Sequence, residues 1–94
     1  MKANKHNVPA EFRPLLPLAR TWGIADEAER SEFLERAPLP RRRAMVSAVF
    51  PHFDAIEQWS RDQLRTTSVR EEAILLNLLC AAATEAIFDV YAEQ

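Results

Sequence analysis

The segment from Ser68 to Val90 constrains the fold more than any other part of this chain. Val69, Ala73, Leu76, Cys80, Ala83, Ile87 and Val90 recur there at alternating spacings of four and three. At about 100° per residue these positions fall within one arc of an α-helix. Ser68 followed by Glu71 has the capping-box pattern, in which each side chain accepts from the other's backbone N–H. Ile74, Leu75, Leu78 and Leu79 carry apolar surface well beyond that arc. Such a helix needs cover on more than one side. The earlier part of the chain can supply it, and so can a second copy in a homodimer formed through this C-terminal helix.

The rest of the chain reads as shorter helices separated by prolines. Pro9, Pro14 and Pro17 break up the beginning, so residues 1–13 are expected to be a flexible arm that packs at most at its end, and 14–94 a single helical domain. A short helix starts near Pro17 and reaches Trp22, with Leu15, Leu18, Ala19 and Trp22 facing inward. Gly23 then offers the left-handed conformation that ends a helix. Asp26 and Glu29 form a second capping pattern, opening a helix to about Arg36 anchored by Phe33 and Leu34. Pro38 and Pro40 stop it, and Pro40 suits the start of a third helix. Pro51 would clash with the carbonyl of Ser47 in a continuous helix, so a kink or a fresh start is expected there. Phe53, Ile56 and Trp59 continue an inward stripe to about Leu64, and Arg65–Thr67 form a connection. β-Branched residues are scattered without alternation, which argues against strands. The expected fold is all-α, a compact bundle of four to five helices around the long apolar C-terminal helix.

Composition narrows the function classes. With 48% hydrophobic and 28% charged residues the chain is globular, and 94 residues fit one domain. The net charge of −2 leaves no broad cationic surface, and Arg41-Arg42-Arg43 is the only basic run, so nucleic acid is not an expected partner. That run also opposes the dipole at a helix start, where Glu35 or another acid is available to compensate it. Residues 1–10 lack the apolar core of a signal peptide, and the apolar stretch 73–83 is shorter than the ~20 residues that span a bilayer. A cytoplasmic protein without membrane contact is the simplest expectation.

Candidate chemistry is sparse. His6 and His52 are the only histidines, and Cys80, the one cysteine, sits among apolar neighbours as a packed thiol. No metal set is expected, because a two-metal bundle needs histidine or repeated Glu ligands from several helices. Ser47 and His52 are near in sequence, but a catalytic triad also needs an oxyanion site that nothing in the pattern supplies. Catalysis and a cofactor are therefore not expected, and a small helical enzyme is the weakest of the readings. Trp22 and Trp59 read as core residues, with a partly exposed tryptophan serving as a contact hot spot.

Leu18, Ala19, Trp22, Gly23, Ile24, Asp26 and Arg30 make up an L-A-x-x-W-G-I-x-D segment followed by an acidic helix containing an arginine. In this first third the chain resembles small bacterial all-helical proteins, some of them similar to the immunity partners of antibacterial toxins. The resemblance implies a protein-binding role and carries no catalytic residue. Two acidic groups would then meet a basic toxin surface: Glu27, Glu32 and Glu35 in the 26–35 segment, and Glu85, Asp89 and Glu93 near the C-terminus. The alternative is a small structural or regulatory subunit of a complex.

Overall fold

A computed structural model of the chain describes residues 8–63 and 70–92. The path opens with a 3-10 turn, Ala10–Leu15, that runs into helix α1, Leu16–Trp22. Helix α2 follows at Glu27–Arg36 and α3 at Leu39–Val49. A second 3-10 turn, Phe50–His52, leads into α4, Phe53–Gln63, and α5 spans Arg70–Ala92. The result is a compact all-helical bundle, with a Cα radius of gyration of 13.2 Å. Helix α5 touches α1, α2, α3 and α4. Among the described residues, no helix is long and apolar enough to cross a membrane.

Local signals account for most helix ends. The Asp26 backbone is extended and its Oδ2 accepts the Glu29 N–H at 2.9 Å, the N-cap expected from the spacing. Helix α3 starts one residue before Pro40, after Pro38, and both the Arg41 and Arg42 N–H groups donate to the Pro38 carbonyl. At Pro51 the chain ends one α-helix and begins another, with a single 3-10 turn between them. The missing proline N–H and the steric conflict with the preceding turn explain the break. The expected capping pair at Ser68–Glu71, the connection 65–67 and the helix end at Leu64 lie wholly or partly outside the described residues.

The core gathers the inward arc of α5 with one side of each other helix. Ala73, Leu76, Cys80 and Ala83 are buried as their spacing required, while Val69 and the Val90 side chain fall outside what is described. Ile56 is buried at the centre of the α4 stripe, with Phe53 and Trp59 half-buried on either side. Of the additional apolar residues on α5, Leu79 is buried and Leu75 packs against the core. Ile74 is 40% exposed. Leu78 is half-buried, so the earlier helices cover Leu79 fully and Leu75 and Leu78 in part.

Two expectations need correction. Residues 8–13 are not a free arm: Val8 and Phe12 are fully buried core residues, and Arg13 Nε donates to the Val8 carbonyl at 2.9 Å. The prolines stop an α-helix here, but a 3-10 turn accommodates Pro14 and places Phe12 inward. Residues 1–7 lie outside the described part. Gly23 is also not left-handed, with φ −82° and ψ 66°. The Ile24 N–H donates to the Trp22 carbonyl at 2.9 Å, so Gly23 is the centre of an inverse γ-turn.

Candidate protein-binding surface

The corner between α1 and α2 is built from Ala19, Trp22, Gly23, Ile24, Asp26 and Arg30. Ala19 is buried beneath the end of α1, and its carbonyl accepts the Gly23 N–H at 2.8 Å. A Cβ at Gly23 would lie 2.5 Å from that carbonyl oxygen, 3.1 Å from the Leu75 carbonyl oxygen and 3.2 Å from Leu78 Cβ. Glycine is thus required first by the Ala19 carbonyl at the end of α1, with the α5 backbone tightening the same space. Trp22 is buried, with the Phe33 ring edge-on at 5.2 Å and the Arg41 guanidinium 5.5 Å from its ring centre. The first arginine of the basic run therefore covers a core tryptophan from α3.

Arg30 completes the corner. It lies among acidic residues in the sequence, yet only 9% of its surface is exposed. Its Nη1 donates to the Ile24 carbonyl at 2.8 Å, and its Nε forms an ion pair with Glu85 Oε2 on α5. Ser31 Oγ donates to the other Glu85 oxygen at 3.2 Å. A guanidinium suits this position because its planar fork serves two acceptors at once. Arg30 and Leu34 are four residues apart and share the inward side of α2. That spacing was the one sequence signal for a buried arginine.

This arrangement sorts the six candidate contact residues. Glu27, Glu32 and Glu35 are exposed on α2. Glu32 Oε1 pairs with Arg36 Nη2 at 2.6 Å, while Glu27 and Glu35 form no ion pair among the described residues. On a helix turning about 100° per residue, Glu32 and Glu35 stand roughly 60° apart, on the side away from Arg30 and Leu34. Glu85 is different: both carboxylate oxygens have partners within the fold, so it is a brace between α2 and α5 and not an open acidic group. Asp89 lies in α5 with its side chain outside what is described, and Glu93 lies beyond the described residues. The structure therefore brings Glu27, Glu32 and Glu35 onto one helix and does not join Glu85 to them.

Besides Arg30, the described interior holds two polar side chains, Ser60 and Glu72, and Glu72 Oε1 is buried without a hydrogen-bond partner. Ser60 is fully buried on α4, and its Oγ is 3.2 Å from both the Glu57 carbonyl and Asn77 Oδ1 on α5. The Cys80 thiol is pushed up to about 12, first by burial and then by the negative charge of Glu57. A thiol held neutral in this way is a poor nucleophile at neutral pH. Trp59 is half-buried and meets the Phe12 ring edge-on at 5.6 Å. Among the described residues, no group of three or more His, Cys, Asp or Glu side chains is arranged to hold a metal ion.

Comparison with known proteins adds no relative: no protein-family model, no curated protein and no solved structure matches the chain.

Proposed function

We propose that this chain is a non-catalytic protein-binding module whose α2 helix presents carboxylates to a basic partner, in the manner of an immunity protein that neutralises a bacterial toxin. The observation that carries the reading is the division of labour within α2. Its inner side is fixed to α5 by Arg30 and Leu34, while Glu27, Glu32 and Glu35 stand in solvent. The anchored helix fixes the backbone that carries these carboxylates, so docking orders only their side chains, and their field steers cationic partners into register. The Glu32–Arg36 pair is exposed and worth at most ~1 kcal/mol, so a partner's arginine or lysine can replace Arg36 at small cost. Neutralisation would follow from covering a basic cleft, with no chemical step on this chain. Asp89 and Glu93 remain a second acidic group, now without Glu85.

The test is capture of a partner by the tagged chain from a native lysate, followed by affinity measurement with the purified pair. Reversing charge at Glu32 and Glu35 together (Glu32→Lys, Glu35→Lys) should weaken binding and steepen its loss with salt, while circular dichroism stays unchanged. Equal affinity and equal protection from the toxin in that double variant would eliminate the α2 face as the docking site.

A second reading, a structural or regulatory subunit, draws on a different observation. Phe50 is 56% exposed at the corner between α3 and α4, and Ile74 is 40% exposed on α5. Association through these groups would be apolar and little affected by salt. Light scattering over a micromolar concentration series distinguishes it: self-association retained in high salt favours this reading, including the homodimer through α5.

A further inference from the structure

The 3-10 turn at Ala10–Leu15 meets the corner between α3 and α4 through Glu11 and Phe12, away from the acidic surface of α2. His52 closes the second 3-10 turn, and its imidazole is half-buried. The Phe12 ring meets it nearly at right angles, with centroids 6.3 Å apart, and meets Trp59 on its other contact at 5.6 Å. His52 Nδ1 lies 3.8 Å from Glu11 Oε2. The N-terminal turn thus has an apolar plug, Phe12, flanked by a carboxylate that faces an imidazole.

We propose that His52 and Glu11 form a pH-sensitive latch that tightens the N-terminal turn on the α3–α4 corner when the imidazole is protonated. A neutral imidazole offers Glu11 no charge, whereas an imidazolium attracts it. Histidine is the side chain that changes charge between about pH 5 and 8. Glutamate is ionised throughout most of that range. The latch is therefore tighter with the imidazole charged than with it neutral.

Among the described residues, the charged groups around the imidazole are few. The N-terminal turn contributes Glu11 and Arg13, and Arg13 Nε is directed to the Val8 carbonyl at 2.9 Å. The last turn of α3 has no basic residue and, by sequence, no acidic one. Helix α4 carries Asp54 and Glu57, both exposed, and neither forms an ion pair with His52. Among the described residues, Glu11 is the charged group within ion-pair distance of the imidazole. Opening of this latch would lift Phe12 from Trp59, so a weak surface pair acts on a segment with a buried aromatic anchor. The latch is separate from the α2 face and does not depend on the docking reading.

Amide hydrogen exchange followed by NMR tests this directly. The Phe12 N–H donates to the Pro9 carbonyl at 2.9 Å and reports opening of the turn, while the Leu79 amide in the middle of α5 reports the bundle. After correction for intrinsic exchange, the Phe12 opening constant relative to that of Leu79 should rise about two- to fivefold from pH 5.5 to 7.5, the range an exposed ion pair supports. Glu11→Gln and His52→Gln should each abolish that rise. Both side chains are partly exposed, so both variants should fold, and their circular dichroism verifies it. A flat wild-type profile, or a rise that survives either substitution, overturns the latch.

Discussion

Arg30 on α2 and Glu85 on α5 are fifty-five residues apart in the chain and meet through a guanidinium nitrogen and a carboxylate oxygen. The guanidinium also holds the Ile24 carbonyl, and Ser31 takes the second oxygen of Glu85. One ion pair therefore fixes a turn and two helices. A buried arginine with its carboxylate removed is worse than an arginine in water, because its charge has lost solvent without gaining a partner.

Replacing Glu85 with Ala should destabilise the chain by about 2–3 kcal/mol in urea denaturation. Breaking a fully buried pair costs ~3–5 kcal/mol, and the partial exposure of Glu85 lowers the expectation here. Arg30→Met should cost less than Glu85→Ala, since it removes the charge and keeps much of the packed stem. In a double-mutant cycle the two positions should show a coupling of at least ~1 kcal/mol. Additive effects would mean that the brace contributes nothing.

Gly23→Ala should be destabilising by about 1–3 kcal/mol, the range found for forcing a methyl group into a packed site. Two of the atoms that a Cβ would meet are backbone carbonyl oxygens, on Ala19 and Leu75, and neither can swing aside as a side-chain end would. A thermal or urea midpoint equal to wild type would show that α1 and α5 separate easily at this point.

Phe12→Ala tests whether the beginning of the chain belongs to the domain. Its ring is buried and packs on Trp59, so truncation should cost about 3–4 kcal/mol. Tryptophan fluorescence and circular dichroism should lose their transitions together at a lower urea concentration. A loss below ~0.5 kcal/mol would return residues 8–13 to the status of an arm.

Cys80 gives a prediction in pH. Burial, and then the negative charge of Glu57, push the native thiol up to about 12 from its ordinary 9.0, so the folded state holds its proton where the unfolded state has released it. The stabilisation is therefore complete below pH 9 and is lost as pH rises from 9 towards 12. Cys80→Ala should flatten this part of the alkaline stability curve. At pH 8 an aromatic disulfide reagent should react with the native thiol only as fast as the bundle opens, and rapidly in denaturant. Immediate reaction of the folded protein would contradict the buried position.

What could be read in the sequence was local. The Asp26 cap, the break at Pro51 and the inward positions of Ala73, Leu76, Cys80 and Ala83 each follow from a few neighbouring residues. Hydrogen bonding within one turn and a period of 3.6 residues are enough to define them. The exposed acids of α2 were legible for the same reason.

Tertiary structure decided the roles of residues whose partners are remote. Glu85 reads as one more acid on a helix until α2 supplies Arg30. Arg41 belongs to a basic run until Trp22 lies beneath it. At Gly23 the Ala19 carbonyl, four residues earlier, already leaves no room for a Cβ, and the Leu75 carbonyl and Leu78 Cβ of α5 narrow the space further. Phe12 follows a proline in a segment that breaks helices, and only the presence of Trp59 and His52 makes it core. Periodicity specifies which side of a helix turns inward. The atoms waiting on the other side are set by helix packing between positions far apart in the chain, and their charge and shape determine whether a carboxylate braces the fold or faces a partner.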